Sequence, residues 1–254
     1  VMLRGLCSCE FITFIIMKKF AIILLIISLN INGQKKVLDH KDFDIWNRIQ
    51  NSKISSSGDF IMYSLQRGEK DSFLKIKDKN ANLIFEHDRA EKGVFSYNSK
   101  HAIFVIKEWN DTITEMKRRK VKKEKMPMDS LGIYNLQNKT LVKISNVKSY
   151  KYPEKWSGYL AYSYDLTNKH KKDTIKEKKI NKKPSSKNGY PLIIRNLDTE
   201  KEDTIPFVLD YTFSKKEKFI SYVTSGEKNS TKPGVYIKDL SNNTTKHIYE
   251  SHVK

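Results

Sequence analysis

A chain of 254 residues with 38% hydrophobic and 11% aromatic content could hold one large β domain or two small ones, and a packed core is possible. Its formal net charge of +19 invites a nucleic-acid reading, but the excess is 41 Lys against 7 Arg, and Arg is the side chain suited to bidentate phosphate and base contacts. The lysines are spread along the chain together with abundant Asn and Ile, so a solvated surface accounts for them and no specific nucleic-acid partner is expected.

In chain order, residues 1–16 precede a good start at Met17 and read as an over-extended start. Residues 17–33 place Lys18 and Lys19 before a ten-residue apolar run, Phe20–Leu29, followed by small and polar residues. This is the pattern of a secretory signal peptide, cleaved after Gly33 to leave Gln34. Ten apolar residues are too few to span a bilayer, and Lys18 and Lys19 would be costly inside a longer anchor, so no transmembrane anchor is expected after cleavage. The product is expected to be exported, periplasmic or extracellular. Cys7 and Cys9 both precede the leader, so the mature chain has no disulfide framework and no thiolate metal site. Residues 34–53 form an amphipathic N-terminal segment in which Phe43, Trp46 and Ile49 suit a helical turn or two. Trp46 is expected to be a packing anchor there rather than a ligand contact.

From Ile54 to Lys254 the chain reads as β and repeats itself. A small polar turn feeds a short apolar run at Ile54–Leu65, Phe95–Ile106, Pro153–Tyr164 and Phe213–Val223. A second phrase follows each copy: FLKIKD at Phe73–Asp78, LGIYNL at Leu131–Leu136, LIIRNL at Leu192–Leu197 and VYIKDL at Val235–Leu240. Strand starts near residues 60, 102, 159 and 219 give a period of propeller-blade size, stretched where insertions intervene. The first run of each unit is apolar without alternation and should be buried on both faces, as a blade between two neighbours would be. The second alternates and should be more peripheral. The fold expected is all-β, a partial β-propeller of about four blade-like antiparallel units over 54–254, preceded by the signal peptide and the short helical segment. Two lysine-rich stretches, near 114–129 and 168–188, lack apolar periodicity and are expected as exposed loops.

Little in the chain carries chemistry. His40, His87, His101, His170, His247 and His252 form no pair at metal-ligand spacing. There is no Gly-x-Gly-x-x-Gly and no phosphate loop, and Ser56-Ser57-Gly58 is a turn rather than a nucleophile elbow, which needs Gly-x-Ser-x-Gly. Hence no catalytic, cofactor-binding or metal residue is assigned, and no cofactor is expected. Asn110, Asn138 and Asn242 match a glycosylation acceptor pattern that in a bacterial protein is chance.

The segment Val37–Leu65 resembles the opening of the mature chain in secreted prolyl oligopeptidase family members of Bacteroidetes-type bacteria, through Leu38-Asp39-His40, Phe43-Asp44, Trp46, Ile54-Ser55 and Gly58-Asp59. Lys125–Leu136, KMPMDSLGIYNL, is similar to a second phrase of that family. The resemblance implies a β-propeller that admits short peptides to a C-terminal α/β-hydrolase domain bearing a Ser-Asp-His triad. It also implies more blades than four, with the hydrolase after them. The nucleophile, acid and base are absent from this sequence, so the expectation is the gating region of a serine peptidase, inactive alone. The competing expectation is a stand-alone periplasmic propeller that binds a protein or envelope partner.

Overall fold

A computed structural model describes residues 19, 39, 42, 46–68, 70–164, 183–227 and 231–250. The chain divides into two units, Val1–Asp42 and Phe43–Lys254. The residues before Met17, the leader at 17–33 apart from Lys19, and most of the lysine-rich stretch 168–188 lie outside the described residues. In the first unit, the Asp39 N–H donates to Asp42 Oδ2 at 2.8 Å.

The second unit is built of antiparallel meanders. β1 (Asn47–Ile54), β2 (Phe60–Arg67), β3 (Phe73–Asp78) and β4 (Leu83–Asp88) form the first four-stranded sheet. β5 (Ala90–Phe95), β6 (His101–Ile106), β7 (Ser130–Asn135) and β8 (Leu141–Ile144) form the second. The rest is one seven-stranded sheet: β9 (Val147–Lys151), β10 (Tyr159–Tyr164), β11 (Tyr190–Asn196), β12 (Glu202–Phe213), β13 (Phe219–Thr224), β14 (Gly234–Asp239) and β15 (Thr244–Glu250). It is two blades sharing a strand. The first half of the 12-residue β12 pairs with β11 and its second half with β13, with register breaks near Val208 and Phe207 at a φ of 53°. A bulge there lets one strand leave the outer edge of blade 3 and open blade 4. The unit is thus all-β, an arc of four propeller blades in chain order.

Each junction between blades has its own core, and alternate residues of one strand serve different junctions. Met62, Leu74 and Ile76 of blade 1 meet Ala102, Phe104 and Tyr134 of blade 2. Ile103, Leu131 and Ile133 of blade 2 meet Leu160, Tyr162 and Ile193 of blade 3. Ala161, Leu192 and Ile194 of blade 3 meet Ile220, Tyr222 and Tyr236 of blade 4. This explains the unbroken apolar runs: Ala102, Ile103 and Phe104 are all 0% exposed, although Ile103 points opposite to its neighbours.

The turn after the third strand is fixed by the same side chain in every blade. Asp78 accepts from the Asn80 and Asn82 N–H groups, Asn135 from Gln137 and Asn138, Asn196 from Asp198 and Thr199, and Asp239 from Ser241. Short Asp and Asn carboxyl and amide groups mimic a backbone turn in this way. The hairpins into the second strand recur likewise, with the N–H of Ser55, Ser96 and Ser214 donating to the carbonyls of Phe60, His101 and Phe219.

Four expectations are corrected. Residues 47–54 are strand β1, not a helical turn, because Ile49 pairs across from Leu65 and Ile54 from Ile61 to complete blade 1. Trp46, expected to be a packing anchor, is 55% exposed at the start of that strand, and the buried tryptophan is Trp156, whose Nε1 donates to Ser214 O at 2.9 Å. Burial on both faces does not hold throughout blades 1 and 4: Ile61 is 40% exposed and Val223 37%. The stretch near 114–129 is not all loop. A helix, α1 (Asn110–Arg118), and a one-turn 3-10 segment (Lys123–Lys125) occupy it, with no residue buried in either. Glu115 meets both Arg118 (3.0 Å) and Arg119 (2.8 Å), spacings that support an exposed helix.

Candidate functional site

A polar cleft of about 360 Å³ opens at the rim of blades 1 and 2. Gln66 at the end of β2, the turn at Lys70–Ser72, Arg89 and Glu91 at the start of β5, and Lys107 and Glu108 after β6 line it. The beginning of α1 and Pro127 and Asp129 before β7 complete the wall. The lysine-rich stretch therefore contributes to the cleft through its two ends rather than through its cations.

Arg89 is the joint of this site. Its backbone is left-handed (φ 61°), a conformation costly for a side-chain-bearing residue and held here by two flanking bonds. Its N–H donates to Ser72 O at 2.6 Å, and its carbonyl accepts from Lys107 N at 2.8 Å. The guanidinium donates to Lys107 O at 3.1 Å and lies 4.2 Å over the Trp109 ring. Such a contact adds about 0.5–2 kcal/mol as water is excluded. Across the cleft, Lys107 Nζ meets Asp129 at 2.7 Å and Glu91 at 3.5 Å. Burial pulls the Lys107 ammonium down, but the bonds and charges of Asp129 and Glu91 outweigh it and hold its pKa above the usual lysine value. Asp71 Oδ1 accepts the first N–H of α1 from Asn110 at 3.0 Å.

The cleft is therefore a charge-paired wall with hydrogen-bonding capacity and no nucleophile beside a base. Its serine, Ser72, donates to Ala90 O at 3.4 Å. Among the described residues, no three or more His, Cys, Asp or Glu side chains come together as a metal site, and no helix is long and apolar enough to cross a membrane.

The histidines are dispersed. His87 is buried beside Phe85 and Phe104 in blade 1. His247 stacks on Tyr236 at 4.4 Å in blade 4. His101 is 3% exposed, 3.3 Å from the Asn135 amide through Nε2, with no hydrogen-bond partner for Nδ1; burial lowers its pKa. His40, His170 and His252 lie outside the described residues. Of the three Asn-x-Thr sites, Asn138 and Asn242 are turn-formers that accept from Thr140 and Thr244 two residues on. Sequence reasoning missed the cleft because its lining comes from six short segments, of which only Pro127 and Asp129 lie in a family-like phrase, and that phrase carries no catalytic signature. The one local signal was Asp88-Arg89-Ala90, a charged pair wedged between two strands with no glycine to make the left-handed turn.

No family model and no curated protein matches the chain. Among solved structures, it is similar to the β-propeller domain of the Trilobed protease from Pyrococcus furiosus (14% identity, TM-score 0.43, 81% of this chain and 58% of that one). It is also similar to a chain from a structural study of two prolyl endopeptidases (11%, 0.46, 83% and 31%) and to TolB from Acinetobacter baumannii (10%, 0.38, 82% and 45%). The chain spans less than two thirds of the length of each. The class of protein is defined by its own topology, a β-propeller arc.

Proposed function

We propose that the arc is the substrate-gating propeller region of an exported prolyl oligopeptidase-like serine peptidase, acting on short peptides, with an α/β-hydrolase domain supplying nucleophile, acid and base. The observation that supports this most is where the two family-like phrases fall. In the first, Ser55 Oγ accepts the Phe60 N–H at 3.1 Å and Gly58 takes a φ of 78°, closing the turn into blade 1. In the second, Asp129 grips Lys107 and its carbonyl accepts from Val147 N, joining blade 2 to blade 3. The shared residues form structure in the arc rather than decorate loops. The second reading is a stand-alone periplasmic β-propeller binding module for a protein or envelope partner.

The two readings separate on labelling. Proteins from the native source are treated with a serine-directed phosphonate, and polypeptides reacting with antibody to residues 54–254 are isolated. The peptidase reading expects the antibody-positive polypeptide to carry the label, and the isolated 254-residue chain to hydrolyse no peptide. An antibody-positive, unlabelled polypeptide that is nevertheless folded would overturn it. Sequencing the same polypeptide from its N-terminus tests export, with Gln34 expected first.

A further inference from the structure

The cleft at the rim of blades 1 and 2 is framed by bonds between two consecutive blades: Arg89 N–H to Ser72 O, Lys107 N–H to Arg89 O, and Asn110 N–H to Asp71 Oδ1. At about 360 Å³ it has the size of a ligand site, but its wall is polar where such sites are mostly apolar. Arg89 holds a costly place in that wall. A left-handed residue marks each passage from the outer strand of one blade to the inner strand of the next: Arg89 (φ 61°), Asn146 (φ 59°) and Phe207 (φ 53°). Asn tolerates this backbone through its short polar side chain, and Phe207 is buried. At the first passage stands instead a long cation whose side chain lines the cleft, and strain of this kind gathers at ligand clamps.

Several groups on the wall keep unused hydrogen-bonding capacity. Gln66 Nε2 donates to Gly68 O (3.1 Å) and Lys70 O (2.7 Å), which fixes the amide and leaves Oε1 as an acceptor. Asp71 accepts from Asn110 through Oδ1 and has Oδ2 to spare. Arg89 donates through Nη1 to Lys107 O, and its Nη2 makes no hydrogen bond among the described residues. Between the lining residues Glu108 and Asn110 stands Trp109, 46% exposed although the Arg89 guanidinium lies 4.2 Å over its ring. The indole is thus held in place with much of its surface in solvent.

The charges of the wall nearly cancel, with Lys70, Arg89 and Lys107 against Asp71, Glu91, Glu108 and Asp129. An anion would meet four carboxylates, and a cation would have to displace Lys107 from Asp129 and Glu91. A peptide backbone is met best by an unpaired strand edge, whereas this cleft is made of strand ends, turns and side chains. We propose that the cleft binds a neutral saccharide, its hydroxyls bonded to Gln66, Asp71 and Arg89 and the C–H face of a sugar ring laid against Trp109. A hydroxyl both donates and accepts, so one kind of group serves the acceptors Gln66 Oε1 and Asp71 Oδ2 and the donor Arg89 Nη2. The C–H groups carry a slight positive charge that suits the negative face of an indole. The inference rests on the cleft alone and stands or falls separately from the peptidase reading.

The test is isothermal titration calorimetry on the full 254-residue chain with maltose, cellobiose and N,N′-diacetylchitobiose, and with inorganic phosphate, argininamide and trialaninamide as charged and peptide comparators. Saturable binding of at least one disaccharide at millimolar concentration is expected, tighter than that of any comparator. Trp109→Ala and Asp71→Asn should each weaken it by about 10-fold or more with far-UV circular dichroism unchanged, the latter because Asn keeps the bond to Asn110 N–H but turns the spare acceptor into a donor. Trp109→Phe should restore most of the affinity, and Tyr97→Ala, at an exposed aromatic in the hairpin between β5 and β6, should leave it unchanged. If Trp109→Ala does not fold, Asp71→Asn carries the test. Absence of disaccharide binding at millimolar concentration, binding that Asp71→Asn or a folded Trp109→Ala does not move, or tighter binding of phosphate, argininamide or trialaninamide overturns the proposal.

Discussion

The junction between blades 1 and 2 makes a sharp test of how the arc is held together. Phe104 on β6 and Gly132 on β7 are direct cross-strand partners. A Cβ on Gly132 would stand 2.3 Å from Phe104 Cε2, well inside contact distance. The ring cannot retreat: Phe104 is 0% exposed and sits 5.6 Å from the Phe85 ring and 6.0 Å from His87. Gly132→Ala should therefore incur an overpacking cost of about 1–3 kcal/mol, offset by about 0.5–1 kcal/mol because Ala is the better strand residue. Phe104→Ala should cost about 3–5 kcal/mol, lowering the melting temperature by about 6–20 °C for a chain of this size. In the Phe104→Ala background the clash is gone, so Gly132→Ala should become neutral or mildly stabilising. The coupling read from urea unfolding of the four proteins should be about 1–3 kcal/mol. If Phe104→Ala does not fold, Phe104→Leu carries the same cycle. Additivity within about 0.5 kcal/mol would refute the idea that glycine is kept at 132 to seat the ring.

Three further outcomes are expected. Burial holds the His101 pKa below its ordinary value, so the unfolded chain binds the proton more readily; stability should fall as pH drops from about 6.5 through the lowered folded value, and His101→Gln should flatten that slope in urea titrations. Burial pushes Tyr222 up to about 12, so the folded state keeps a phenol proton that the unfolded state loses near pH 10. Stability should then decline from about pH 10 to 12, and Tyr222→Phe should remove part of the decline, leaving the share of Tyr211, also raised to about 12 by burial. Lys238, only 9% exposed, is ion-paired with the half-exposed Asp203. Asp203→Ala strands a buried ammonium and should cost about 1–3 kcal/mol, whereas Lys238→Met should cost less; the reverse order in chemical unfolding would contradict this account.

Much of the arc was legible because its repeat is written in side chains that make the structure. The strands expected near 60, 102, 159 and 219 begin at Phe60, His101, Tyr159 and Phe219. The second phrases became β3, β7, β11 and β14, and their closing Asp or Asn is the turn-forming residue. What failed was set by neighbours rather than by local pattern. Phe43, Trp46 and Ile49 have helical spacing, yet the cross-strand partners of Ile49 and Ile54 lie downstream on β2 and fix a strand. Helix α1 is nine residues long and its apolar side is only the half-buried Ile113 and Met116, too short a pattern to stand out among the lysines; its Glu115–Arg pairs and the Asp71 contact add support. The cleft was invisible for a related reason: Arg89 acquires its role from Trp109, Lys107 and Ser72, which the fold brings together.

The charge itself can now be read by position. Five of the seven arginines do structural work: Arg67 covers the Phe73 ring at 4.3 Å and Arg89 covers Trp109. Arg195, with a side chain 12% exposed, bridges Glu200 and Glu202, while Arg118 and Arg119 share Glu115. The Glu202 carboxylate that Arg195 holds also accepts from Tyr162 OH at 2.6 Å, so one arginine orients a buried tyrosine between blades 2 and 3. The planar, forked side chain is spent where geometry matters inside the arc, and the net charge of +19 is carried by lysines as point charges. A surface of that kind attracts anions without selecting them, and its pull fades with salt. Specificity in this arc must come from shaped surfaces such as the cleft at blades 1 and 2 rather than from its charge.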